Sequence, residues 1–118
     1  MLARTPRPPY YAVIFTTVCA AQEGDGYGEA AERMLALAAG QPGYLGIDSA
    51  REDIGITVSY WRSLQDIGAW RAHAEHAEVR RRGREQWYAS FELRVARVER
   101  ASSFDAAATA VGHDHEED

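Results

Sequence analysis

The sequence of 118 residues contains no lysine and no asparagine, and it has a single cysteine. Its thirteen basic residues are therefore all arginine, which suggests GC-rich coding and a bacterial source. Because Cys19 stands alone, an internal disulfide and a cysteine-based zinc site are excluded, and a reducing cytoplasm fits. No signal-like apolar run precedes the prolines, and nowhere do roughly 18 apolar residues follow one another, as a membrane span requires. The sequence predicts a soluble cytoplasmic protein.

Acidic residues outnumber basic ones by 18 to 13, giving a net charge of -5. A protein with this balance repels phosphate overall, so we predict no nucleic-acid partner. The arginine run at residues 80–84 is a local exception. We interpret it as the solvated face of a helix.

The hydrophobic pattern predicts six elements in the order strand, helix, strand, strand, helix, strand. The predicted ranges are 10–19, 29–40, 41–52, 54–63, 63–87 and 88–100. Residues 1–9 carry three prolines and are expected to form a disordered leader, and the acidic tail 105–118 is also expected to be disordered. Residues 10–104 then form one domain.

One straight helix fits the long helical region poorly. Trp70 belongs to one apolar stripe and His76 to a second stripe, with Val79, Gly83 and Trp87, on a nearly opposite side. We therefore predict two helices with a bend near residues 71–75. On this interpretation His76 faces inward.

This order of elements predicts an α+β fold, the split βαβ arrangement of ferredoxin-like proteins, with the helices on one face of the sheet. The first strand is apolar on both sides, with Ile14 and Val18 on one side and Val13 and Phe15 on the other. The face without helices needs a cover. A second copy would supply it, so we predict a homodimer.

Four stretches carry a family resemblance: PGYLGIDSARE, GITVSYWRS, WRAHAEHAEVRRRGREQWY and LRVARVER, in that order. With them, residues 10–104 resemble the antibiotic biosynthesis monooxygenase (ABM) family of dimeric ferredoxin-like α+β barrels. That family includes cofactor-free oxygenases of polycyclic aromatic phenols, haem-degrading monooxygenases and members without known activity.

The resemblance also implies site residues. Both oxygenase types of the family use an asparagine and a tryptophan beside the substrate, and the haem degraders add a histidine as iron ligand. Trp70 matches the tryptophan, and His76 is nearest to the histidine, although its spacing from Trp70 is short for the haem-binding members. The asparagine has no counterpart, because this chain contains none. We therefore predict no haem and no other cofactor.

An inward, neutral His76 can act as a general base, ligate iron or hydrogen-bond within a packed core, and all three roles stay open. His73 lies about 60° around the helix, at the rim of the site. The two histidines lack a third ligand, so we predict no metal site. Candidate substrate contacts are Trp70, Trp87, Tyr88, Arg84, His73 and Tyr60. Aromatic residues on an inward stripe belong to the core more often than to a pocket, and Arg84 more often forms a surface ion pair.

Three functions are compatible with these residues. The leading hypothesis is a cofactor-independent monooxygenase of a small aromatic phenol or quinol, with His76 as the catalytic base. The alternative is a non-enzymatic dimeric binding or interaction module of the same fold. A haem-degrading monooxygenase is a third and weaker hypothesis.

Overall fold

The computed structural model describes residues 2–20 and 26–107, and the elements follow the predicted order. The helical region is divided into two helices and a π-helical turn. The elements are β1 (Tyr10–Cys19), α1 (Tyr27–Ala39), β2 (Tyr44–Arg51), β3 (Gly55–Trp61), α2 (Leu64–Ala72), α3 (Ala74–Arg82), the π-helical turn (Gly83–Trp87) and β4 (Tyr88–Val98).

The four strands form one antiparallel sheet in the order β2-β3-β1-β4. β1 lies in the centre because its β-branched and aromatic residues suit a strand that is paired on both edges. Of its two partners, β3 precedes the helical region along the chain and β4 follows it. The predicted ferredoxin-like α+β fold is confirmed.

The two faces of the sheet differ in what covers them. Residues directly opposite each other in antiparallel strands point to the same side, so Tyr11 and Trp61 share a face. Trp61 stacks on Trp70 of α2, and we call this side the helix face. In β1 the helix face carries Tyr11, Val13, Phe15 and Thr17, and the opposite face carries Tyr10, Ala12, Ile14, Thr16 and Val18. The predicted two-sided apolar character of the first strand is confirmed.

The predicted bend is confirmed and falls at His73, between α2 and α3. Ser63 caps the start of α2, because its hydroxyl accepts a hydrogen bond from the Asp66 amide at 3.0 Å. α1 ends at Ala39, and Gly40 is its C-cap. α1 itself starts at Tyr27, two residues before the predicted Glu29, because Gly26 adopts a positive φ of 90° and turns the chain into the helix.

Residues 2–9 contact the sheet, whereas the sequence favoured an unpacked leader. The Ala3 amide donates to Asp48 Oδ1 at 2.7 Å, and the hydroxyls of Thr5 and Tyr10 lie 2.7 Å apart. Gly46, at φ 154°, lets the leader approach, since a Cβ at Gly46 would lie 3.0 Å from that of Ala3. In the predicted acidic tail, residues 108–118 lie outside the described residues.

Among the described residues, no helix has the length and apolar character needed to cross a membrane.

Candidate functional site

Three rings form a column on the helix face. Trp61, fully buried at the end of β3, lies 6.3 Å from Trp70 between ring centroids, with the planes 22° apart. Trp70 in turn stacks on His76 at 4.1 Å and 15°. Residues of two predicted stripes meet here because the chain turns at His73 between the helices that carry them.

The hydrogen bonding of His76 fixes its protonation pattern. Its Nδ1 lies 3.0 Å from the Trp70 carbonyl oxygen. A carbonyl only accepts, so Nδ1 carries the proton and Nε2 of the neutral ring keeps its lone pair. Burial lowers the pKa of His76, the hydrogen bond to the Trp70 carbonyl partly offsets that shift, and the charges of Arg80, His73 and Arg71 lower the pKa further. His76 is therefore a neutral imidazole with one basic nitrogen at pH 7.

His73 has a structural task at the bend. Its Nδ1 accepts a hydrogen bond from the Glu75 amide at 3.2 Å, which caps the start of α3. The ring also lies 5.6 Å from that of Trp70. His73 thus sets the turn that brings Trp70 and His76 together.

Two neighbouring arginines of α3 differ in their bonding. Arg81 is exposed and pairs with Glu78 at 2.6 Å and Glu85 at 2.7 Å. Arg80 donates from one terminal nitrogen to the Arg71 carbonyl at 3.2 Å, and no described carboxylate pairs with it. Its Nε–H is buried and has no hydrogen-bond partner among the described residues.

A second aromatic cluster lies where β4 begins. Tyr27 contacts Trp87 at 5.5 Å and Tyr88 at 5.8 Å, while Phe15 contacts Tyr88 at 5.5 Å and Phe91 at 5.4 Å, all between ring centroids. Trp87 is 1% exposed, so it belongs to the core. Burial and a hydrogen bond with Tyr27 raise the pKa of Tyr88, which therefore stays protonated. This cluster anchors the π-helical turn to the sheet.

Three arginines flank this cluster, and the guanidinium of Arg82 lies 4.8 Å from the ring centroid of Trp87. The guanidinium of Arg84 lies 5.7 Å from the ring centroid of Phe91. Arg51 donates to the hydroxyls of Thr17 and Tyr27, and it lies over Gly55, where a Cβ would collide with the guanidinium. Glycine at this position is what lets Arg51 lie flat on the sheet.

Tyr60 lies on the opposite face of the sheet. Its hydroxyl donates to Asp48 at 3.0 Å, and its ring packs edge-on against Tyr10 at 5.9 Å. Burial and the Asp48 carboxylate raise the pKa of Tyr60 to about 12. Tyr60 and the column of Trp61, Trp70 and His76 are on different sides of the sheet.

The structure thus distributes the predicted site residues over three places. The first place is the ring column, with Trp70, His73 and His76. The second is the aromatic cluster at the start of β4, with Trp87, Tyr88 and Arg84. Tyr60 lies on the other side of the sheet. Trp61, at the base of the column, and Arg80, next to His76, were not among the predicted site residues. Helical spacing carried a signal for Arg80, since no acidic residue lies three or four positions from it, whereas Arg81 has two.

An apolar strip on the helix face remains open to solvent. The register places Val95 opposite Val13 and Leu93 opposite Phe15. Leu93 is 41% exposed and Val95 46% exposed, although both point to the side on which the helices lie. These side chains form an exposed apolar surface that a flat ligand can contact.

Within the ranges 2–20 and 26–107, no group of three or more histidine, cysteine or acidic side chains is placed to hold a metal ion.

Fold and site together define a small ferredoxin-like α+β protein with an aromatic column that ends in a neutral histidine. A sequence profile of the family described as antibiotic biosynthesis monooxygenase matches residues 9–82. The chain belongs to this family.

The chain is also similar to individual proteins. It is 53% identical over 105 residues to the uncharacterized protein YqjZ of Bacillus subtilis (strain 168), with 87% of this chain and 91% of that protein covered. Its fold is similar to that of SnoaB, a cofactor-independent oxygenase from Streptomyces nogalater, with a TM-score of 0.68, 12% identity, and 80% and 97% of the two chains covered. PA3566 from Pseudomonas aeruginosa gives a TM-score of 0.65 at 13% identity, with 82% and 99% covered.

Proposed function

We propose that the protein is a cofactor-independent monooxygenase of a small aromatic phenol or quinol, with His76 as its base. The observation that carries this proposal is the Nδ1 contact of His76 with the Trp70 carbonyl, which leaves Nε2 as the basic nitrogen. Family membership and the similarity of the fold to that of SnoaB support a monooxygenase.

The protein's part in such a reaction is acid–base and steric. His76 takes the phenolic proton through Nε2, and the deprotonated substrate supplies the electrons to dioxygen. Burial lowers the pKa of His76, so the base is ready at neutral pH. Trp70 holds the imidazole by stacking, and the strip of Val13, Leu93 and Val95 offers an apolar surface to the face of the substrate.

A homodimer in the bacterial cytoplasm completes the proposal. The opposite face of the sheet carries Ile14, Val58 and Ile56, and Ile56 is 44% exposed. A second copy that packs its own sheet on this face would remove these side chains from water.

Oxygen uptake tests the enzymatic role directly. Wild type and His76→Ala are compared on a panel of anthrone-like and naphthol-like substrates. Loss of a general base typically lowers the rate by about a hundredfold or more, and we expect that loss on the active substrate. Gly68→Ala, at an exposed site on α2 where a Cβ meets nothing within 4 Å, is the control and should keep the wild-type rate. Equal rates in wild type and His76→Ala would remove His76 from the mechanism.

The absence of asparagine favours one competing function, a dimeric binding module that holds an aromatic metabolite without converting it. The apolar strip and the ring column serve such a module equally well. Saturable binding of a panel compound with no oxygen uptake at any pH would decide for this alternative.

A further inference from the structure

Arg80 lies one helical turn beyond His76, on the same side of α3. The two side chains are close enough for the charge of Arg80 to lower the pKa of His76. α3 therefore presents a base and a cation next to each other.

The bonding of Arg80 is incomplete in a way that points to an anion. An arginine has five N–H donors, and a buried donor without a partner is costly. Arg80 spends one terminal nitrogen on the Arg71 carbonyl, while its buried Nε–H has no partner among the described residues, the one side-chain atom there of which this is true. Burial lowers the pKa of Arg80, and the charges of Arg71 and Arg84 lower it further. Each of these conditions is relieved by a negative charge.

The nearby acidic residues are paired with other arginines, so the negative charge that Arg80 lacks would come from a ligand. Glu78 is held by Arg81, and Glu75 is held by Arg33 at 2.8 Å. The other charged or titratable groups that act on His76 and Arg80 are Arg71, Arg84 and His73. These carry positive charge or none, so the surroundings of His76 and Arg80 attract an anion.

We propose that Arg80 and His76 form an oxyanion subsite that binds a phenol as its phenolate. This inference rests on the proposed function and deepens it by naming the group that holds the anion. When a phenol binds, its O–H bond breaks, the electron pair stays on the oxygen, and the proton moves to Nε2 of His76. The phenolate oxygen then accepts from Nε–H and a terminal N–H of Arg80, in the two-pronged geometry that arginine offers to oxyanions. No electron leaves the phenol in this step.

Binding of 4-nitrophenol without oxygen tests the subsite, because its phenolate absorbs visible light and its phenol does not. The bound fraction and the phenolate band are measured across pH in wild type, Arg80→Gln and Arg81→Gln. We expect wild type to prefer the phenolate about tenfold, which lowers the apparent pKa of the bound probe by about one unit. Arg80→Gln should lose this preference. Arg81→Gln removes the same charge from the next residue and should keep it.

Three results would overturn the proposal: no binding to wild type, binding without preference for the phenolate, or equal preference in wild type and Arg80→Gln. Thermal unfolding of each variant shows whether it is folded. Arg80→Lys keeps the charge but lacks the Nε–H, and an intermediate preference in this variant supports the two-pronged contact. If phenolate binding depends on Arg80 but no substrate consumes oxygen, the monooxygenase proposal fails and the subsite stands.

Discussion

At the scale of single residues, the electrostatics of His76 follow from its place between Trp70 and Arg80. The imidazole is half buried, stacked on an indole and one turn from a cation. Burial and the nearby cation disfavour the charged ring, and together they outweigh the hydrogen bond to the Trp70 carbonyl, which favours it. The native state therefore holds His76 neutral at a pH where an exposed histidine begins to gain a proton.

The lowered pKa of His76 makes the stability of the protein depend on pH. The unfolded chain binds a proton at His76 near pH 6.5, whereas the native state binds it at lower pH. On acidification the unfolded state gains the proton first, so the free energy of unfolding should fall as pH drops below about 6.5. The fall from this residue ends once the pH is below the native pKa.

Urea unfolding of wild type and His76→Gln between pH 7 and pH 5 measures this effect. We expect the free energy of unfolding of wild type to decrease more over this window than that of His76→Gln, which has no proton to gain at this position. Parallel curves would show that the native state does not depress the pKa of His76.

Some properties of single residues could be predicted from the sequence, and others could not. The inward direction of His76 followed from helical periodicity, which depends only on neighbouring residues. The cap made by His73 did not, because histidine is not among the usual capping residues. The buried donor of Arg80 was hidden within a run of arginines whose composition predicts a solvated face, and burial depends on elements distant in the sequence.

At the scale of elements, the join between α3 and β4 departs most from what periodicity predicts. Residues 83–87 form a π-helical turn, which widens the helix before the chain enters the sheet. Gly83 is buried at its start, and a Cβ there would lie 2.7 Å from Cε2 of Tyr88. Periodicity gave no sign of this turn, because the ring of Tyr88 needs the space and that need arises only in three dimensions.

Substitution of Gly83 by alanine should therefore destabilise the protein. The added methyl group forces the Tyr88 ring or the π-helical turn to shift, and overpacking of this kind costs about 1–3 kcal/mol. Gly68→Ala is the matched control, since its Cβ is unobstructed in α2, and it should stabilise by up to about 1 kcal/mol. Chemical denaturation of both variants measures the difference. A neutral or stabilising Gly83→Ala would mean that the ring moves aside without cost.

At the scale of the whole molecule, the sheet has helices on one face and the short leader on part of the other. The order of elements and the alternation in β1 predicted this layered arrangement. Sequence alone did not predict the contacts of the leader, because they depend on Asp48 and Gly46 in a distant strand.

The proposed homodimer gives the whole-molecule prediction. Light scattering coupled to gel filtration should report twice the chain mass of 13.1 kDa. Ile56→Arg places a charge in the apolar part of the opposite face and should shift the protein toward 13.1 kDa. Leu93→Arg, on the helix face, is the control and should leave the mass of the assembly unchanged. A monodisperse wild-type monomer would contradict the dimer.

The central position of β1 also governs the order in which the chain can fold during its synthesis. β1 is made early, yet one edge pairs with β3 and the other with β4, in a register that joins Tyr10 to Val98. Until the last strand leaves the ribosome, an apolar strand of ten residues has one unpaired edge. Most of the chain must therefore be synthesised before its central strand is protected, and the nascent protein presents a site for chaperones throughout that interval.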